Sequence, residues 1–324
     1  MYVPTGSANE VVVIDVRSDR IVKRIGELEN AHGLAGNTRS FYLVAGSLRT
    51  AQAGASPPAR PAAVDEARHA AHHGAGSDPE TAASFVSLID RQQERVIRRI
   101  GVRAPTHHTA VSPDGEYAVA VHSGAGGISV IDLDEQRVIA TVDTGSRPNF
   151  AVFSRDGREL YVSNAGAGTI SIVTTADWRV RGEIDVGGQP EHMVLSPEGK
   201  RLFVVNVYED RVQEVDLPGA AVRNSYAVGS SPHAADVSED RRWLFVSVKG
   251  ENRVTRIDLE SGARRHANLE PAPYHLEYVD RADKLYVSSR ERPKIWVLDP
   301  RTLEVLREID LVRGVGHQMV VLGQ

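Results

Sequence analysis

Short stretches in which apolar and polar residues alternate recur in groups of four along the whole chain. The clearest group is RPNFAVFSRDGRELYVSNAGAGTISIVTTADWRVRGEIDVG at 147–187. Its pattern predicts strand, polar turn, strand, Gly-rich turn, strand, polar turn, strand. Aligned on the Ser-Pro-Asp-Gly turn, the groups repeat every 42 residues or so, about the period of propeller blades. Further units run over 104–145, 188–229, 230–270 and 271–311, and 31–102 is another with an insertion. The remaining unit is split across the termini. Residues 312–324 supply an innermost strand, GHQMVVL, and 1–27 supply three outer strands, with Met1 in register with Leu160 and Leu285. Joining both chain ends in one blade removes the open sheet edge that would invite aggregation. The expected fold is therefore all-β: one domain over 1–324, a seven-bladed propeller of four-stranded antiparallel blades.

The segments LYVSNAGAGTISIVTTADW, LFVVNVYEDRVQEVDL and KLYVSSRERPKIWVLD, with the Ser-Pro-Asp-Gly turns, resemble the YVTN family of β-propeller repeats. The resemblance spans nearly the whole chain apart from the insertion. It implies the fold and leaves the function open, because propellers host binding, scaffolding and catalysis alike.

The insertion, 49–83 in the second blade, is rich in Ala, Gly, Pro and Ser and is expected to be flexible. Within it, AAVDEARHAAH is compatible with a short helix. It replaces a turn on the face where the innermost strands begin. Its His69, His72 and His73, with Asp65, Glu66, Asp78 and Glu80, would be tethered above that face, as metal-capturing groups or as mere soluble filler.

Those innermost strands open on histidines. PTHHTAVSPDG (105–115), PEHMVLSPEG (190–199), PHAADVSED (232–240), PYHLEYVD (273–280), GHQMVVL (316–322) and the looser AHGLAGN (31–37) hold seven of the twelve histidines. These are His32, His107, His108, His192, His233, His275 and His317. His108, His192 and His275 fall four residues before the turn position, and His32 and His317 align with them; His107 and His233 fall one residue earlier. The unit 147–187 has Asn149 and Phe150 there instead. In a closed ring the imidazoles converge on one axis. Crowded imidazoles stay neutral near pH 7, because like charges repel and burial disfavours the cation. Neutral imidazoles suit copper and iron, and zinc is admissible. A plainer origin is duplication of one framework histidine, although the adjacent pair His107–His108 is no repeat consensus.

Asp236 and Glu277 lie one layer below the ring, where carboxylates would orient ligand imidazoles or act as a catalytic base, or would pair with a neighbouring blade. His122, Asn164, Asn206 and Ser289 end second strands as a polar outer shell with structural roles. Tyr274 and Phe150 would wall the pocket, and His266 belongs to an outermost strand open to solvent. The glycines of GAGAGT and GAGG fall in hairpins and form no phosphate loop.

Composition narrows the options. There is no cysteine, so disulfides and thiolate metal sites are excluded. Net charge is −5 with no basic block, which disfavours nucleic acid. No apolar run approaches the roughly 20 residues of a membrane span. The start MYVPTGSANE lacks a signal-peptide pattern, so the expectation is cytoplasmic, or periplasmic if a signal has been removed.

The histidine ring looks like those of nitrous oxide reductases and carotenoid oxygenases, propellers whose axial histidines hold redox metal. That resemblance implies a copper- or iron-dependent oxidoreductase acting on a small molecule; the chain is expected to be a monomer. The His-bearing insertion is similar to the capture loop of propeller-type zinc metallochaperones, which implies a zinc or copper carrier. A protein-interaction scaffold is a third reading. A haem-binding propeller, as in nitrite reductases, comes last, since no haem motif accompanies the axial histidines.

Overall fold

The computed structural model describes residues 1–50 and 83–322, and in them the alternation resolves into seven antiparallel sheets arranged as a propeller. Numbered from the N-terminus, the fourth blade is typical, with strands Pro148–Phe153, Glu159–Asn164, Thr169–Thr174 and Arg179–Asp185 hydrogen-bonded in chain order. Inner and middle strands are buried on both faces. The outer strand is mostly exposed, so Arg179–Asp185 can be largely polar.

The Ser-Pro-Asp-Gly turn has a physical basis. The Ser112 hydroxyl donates to Asp114 and accepts from the Tyr117 amide, and Gly115 adopts φ +84. A Cβ on Gly115 would lie 2.6 Å from the Ser40 amide nitrogen, so both conformation and space demand glycine.

Each seam between neighbouring blades is filled by one cluster of buried apolar side chains. At the seam that closes the ring, Val3, Val12 and Ile14 pack against Val279, Tyr286, Ile295 and Val297. The first blade departs from expectation in one respect. Strands Tyr2–Thr5, Glu10–Asp15 and Arg20–Ile25 form a three-stranded sheet, and the C-terminal segment adds a single antiparallel bridge between Tyr2 and Val320. Gly314, at φ +69, and the Gly316 backbone run against Thr5, Ala8 and Val3, so this segment follows the blade edge closely without forming a ladder. Its further anchors include the His317 amide on the Pro4 carbonyl, the Gln318 amide group, which bonds Leu34 and Thr109 on the next two blades, and the Arg313 ion pair with Glu10.

Candidate metal centre

The axial mouth is built by an irregularity repeated at the start of the inner strands. In the second, fourth, fifth, sixth and seventh blades the ladder slips by one residue just after its first pair, for instance between Pro148 and Ala151, Pro190 and Met193, and Pro273 and Leu276. A β-bulge places two residues against one and re-aims a side chain that alternation would send into a seam. In the third blade the same arrangement appears in backbone bonds, His107 N–H to Val121 O and Val121 N–H to His108 O. This explains why His107 and His233, although one residue out of phase, reach the same cluster. His32, aligned by sequence with His108, His192 and His275, in fact takes the first place of its bulge as His233 does, with Gly33 in the second.

All seven predicted ring histidines come together. Centroid separations are 4.6 Å for His108–His192, 4.8 Å for His192–His275, 4.5 Å for His192–His233 and 4.9 Å for His233–His275. On the other side, His32 lies 4.1 Å from His317 and 4.6 Å from His107, and His107 and His108 are 4.3 Å apart. His108 is fully buried, and His32, His192, His233, His275 and His317 are nearly so, while His107 retains some exposure. One ligand nitrogen from each of His108, His192 and His275 can be chosen so that the three lie within 4.8 Å of one another.

The nitrogens are unspent. His108 Nδ1 lies 2.8 Å from the Asn149 carbonyl. A carbonyl only accepts, so Nδ1 carries the proton and Nε2 keeps its lone pair. Buried atoms without a hydrogen-bond partner include Nε2 of His108, His192, His233 and His275, and Nδ1 of His107 and His317. Leaving a buried polar atom unmet costs about 1–3 kcal/mol. Burial is the main cause that pushes these imidazoles toward the neutral form, His192 to about 3 and His317 to about 4. His32, His108, His233 and His275 are pushed well below 6.5, by burial first and neighbouring imidazoles second.

The predicted carboxylates are not brought into this cluster. Asp236 and Glu277 face a separate cavity of about 160 Å³, shared with Arg155, Pro197 and Tyr278. Asp236 accepts from the Val237 and Tyr278 amides, which stitches the sixth blade to the seventh. Burial raises Asp236 to about 6, and burial plus the charge of Asp236 pushes Glu277 well above the usual carboxylate range. The two carboxyls therefore resist losing both protons together. His122, Asn164, Asn206 and Ser289 form the polar shell as expected: His122 bonds Ser129, and Asn164 bonds Ser171. Tyr274 stacks on His233 at 3.8 Å, Phe150 packs on His192 at 4.7 Å, and His266 is exposed. His69, His72 and His73 lie outside the described residues.

Several supporting residues carry no signal as chemistry in the sequence. Gly33 lets the second blade lie against the His108 backbone, where a Cβ would come 2.7 Å from the His108 Cα. Ser163, Ser247 and Ser288 are fully buried in second strands and bond the bulged residues of their own blades. The recurring Val-Ser within YVSN, FVSV and YVSS is the trace that would have revealed them.

Fold and site together define a seven-bladed propeller with an imidazole cluster at its axis. The chain belongs to the cytochrome D1 heme domain family, whose model matches residues 77–271. Among solved structures it is similar to hydrazine synthase of Kuenenia stuttgartiensis, with a TM-score of 0.71, 16% identity, and coverage of 93% of this chain and 92% of that one. It is also similar to a functionally unknown protein of Desulfotomaculum acetoxidans DSM 771, with a TM-score of 0.74, 14% identity, and coverage of 98% and 99%. At these identities the likeness concerns the fold. No curated protein sequence matches the chain. The haem-propeller reading, placed last for want of a local motif, is thus the one the family supports.

Family membership implies a haem, and the residues at the mouth test that implication. Unspent imidazole nitrogens are suitable axial donors. A tetrapyrrole also needs a flat slot beside its axial ligand, in a pocket of roughly 300–1,000 Å³. Here the imidazoles touch one another, and Phe150 and Tyr274 close on His192 and His233. The 160 Å³ cavity is lined by no histidine, and another of about 370 Å³ lies at Arg201, Asp240 and Glu260, also away from the ring. Among the described residues the cluster fits a bare ion and does not fit a macrocycle.

Proposed function

We propose that this propeller binds a transition-metal ion, copper or iron, at the mouth of its channel and serves as a redox protein acting on a small molecule. The observation that carries the reading is the trio His108, His192 and His275, whose ligand nitrogens lie within 4.8 Å of one another and whose Nε2 atoms are buried without partners. A fourth nitrogen, His233 Nε2, is also unmet and its ring adjoins those of His192 and His275. An all-imidazole set selects copper, iron or zinc over magnesium and calcium, which prefer oxygen. Three or four protein ligands leave coordination positions for a small molecule. Asp236 and Glu277, in their separate cavity, are not among the ion's ligands.

The family match favours a second reading, a haem protein. The two separate by spectrum and by metal analysis of protein purified without a tag. The bare-ion reading expects stoichiometric copper or iron without a haem absorption band, and loss of that metal in the double variant His108→Ala/His192→Ala. Retention of stoichiometric metal in the double variant overturns it, as does a haem band in the wild type.

A further inference from the structure

The fourth blade brings no histidine to the mouth, and by residue count it is a gap in the ring. Its contacts give it a different role. The carbonyl of Asn149 is the partner of His108 Nδ1 at 2.8 Å, the bond that sets the tautomer of His108 and leaves Nε2 its lone pair. The next residue, Phe150, packs edge-on against His108 at 4.9 Å and tilted against His192 at 4.7 Å. Asn149 and Phe150 are the two bulged residues between the pairs Pro148–Asn164 and Ala151–Val162, so both oppose Ser163.

Ser163 ties these features together. Its hydroxyl accepts from the Phe150 amide at 3.0 Å and donates to the Glu191 carbonyl at 2.7 Å. Glu191 directly precedes His192. One fully buried hydroxyl thus links the bulge that orients His108 to the strand that carries His192. The sixth blade repeats the device: Ser247 accepts from the Ala234 amide and donates to the carbonyl of Tyr274, the residue before His275. In the fifth blade the corresponding residue is Val205, with no hydroxyl to offer.

We infer that the fourth blade is the positioning element of the metal site and that Ser163 is its positioning residue, setting His108 and His192 relative to each other. This rests on the metal-binding reading above. Ligand histidines are held by the hydrogen bond of their second nitrogen, and loss of such support commonly costs 10–100-fold in metal affinity. Ser163→Ala leaves the Phe150 amide and the Glu191 carbonyl without their partner, so the bulge relaxes and both imidazoles turn.

The test compares Ser163→Ala with Ser171→Ala. Ser171 is an equally buried serine of the same blade that bonds Asn164 and the Thr144 carbonyl, away from the ring. Two readouts are taken: nitrogen-15 NMR of the imidazoles in the metal-free protein, and Cu(II) titration followed by electron paramagnetic resonance. Wild type is expected to show His108 as the Nδ1–H tautomer. Ser163→Ala should disturb the His108 and His192 resonances, change the copper signal and weaken copper binding by about tenfold or more. Ser171→Ala should leave both readouts as in wild type. Imidazole resonances and copper signal unchanged in Ser163→Ala overturn the inference, and so does an Nε2–H His108 in wild type, whether or not a variant folds. If wild type takes up no copper but the resonances still move, the copper form of the metal reading falls and the positioning role stands.

Discussion

His122 and His108 are both buried imidazoles in the third blade, one ending its second strand and the other in the bulge before its inner strand. His122 Nδ1 faces the Pro105 carbonyl at 3.3 Å, and its Nε2 meets the Ser129 hydroxyl at 2.8 Å, so both nitrogens are engaged. His108 has one nitrogen engaged and one buried with no partner. Burial alone therefore does not distinguish a structural histidine from a ligand. What distinguishes them is whether the second nitrogen is spent, since an unmet buried atom costs stability unless a ligand repays it.

The sharpest break in this comparison comes from placing asparagine at each kind of position. His192→Asn removes a ligand nitrogen from the trio and should lower metal affinity by orders of magnitude, read as metal per chain after dialysis. His122→Asn should leave metal content at the wild-type value and cost less than about 1 kcal/mol in denaturant unfolding. Asn164 and Asn206 already fill the equivalent place in the next two blades, bonding Ser171 and Gln213.

Gly33→Ala tests the ring from behind. Its Cβ would press on the backbone of His108 and Thr109 at 2.7–2.9 Å, so the second or the third blade must shift. Overpacking of this kind costs about 1–3 kcal/mol, and the variant should lose metal affinity together with stability.

Acid isolates His122 in turn. Burial lowers its pKa from 6.5 to about 4. Because the folded value lies below the unfolded one, the unfolded chain binds more protons between them. The contribution is complete above pH 6.5 and is lost as pH falls from 6.5 toward 4, by up to about 3 kcal/mol. In the metal-free protein, His122→Asn should flatten part of the decline in unfolding free energy over that window. An unchanged slope would mean that His122 is not held neutral.

Much of the architecture was legible because it is periodic. Alternating strands, the Ser-Pro-Asp-Gly turns and the split terminal blade all follow from local pattern, and the structure departs mainly at the C-terminal segment, where a single bridge replaces a strand. The convergence of His32, His107, His108, His192, His233, His275 and His317 was legible for the same reason. Their final aim was not, since it depends on bulges defined by pairing with another strand. A serine such as Ser163 reads as one more small residue within a strand until its partners on two blades are known. Asp236 and Glu277 were expected beneath the ring, but alternation does not reveal that they line a cavity without imidazoles. The haem family was not read from any short motif; its model matches the long span 77–271.

The most direct measurement is a crystal structure of protein purified without a tag, with anomalous scattering recorded at the copper and iron edges. A peak about 2.0–2.1 Å from nitrogens of His108, His192 and His275 is expected, with no tetrapyrrole density around it. A haem at the mouth, or a metal bound elsewhere with the three histidines free, would contradict the assignment.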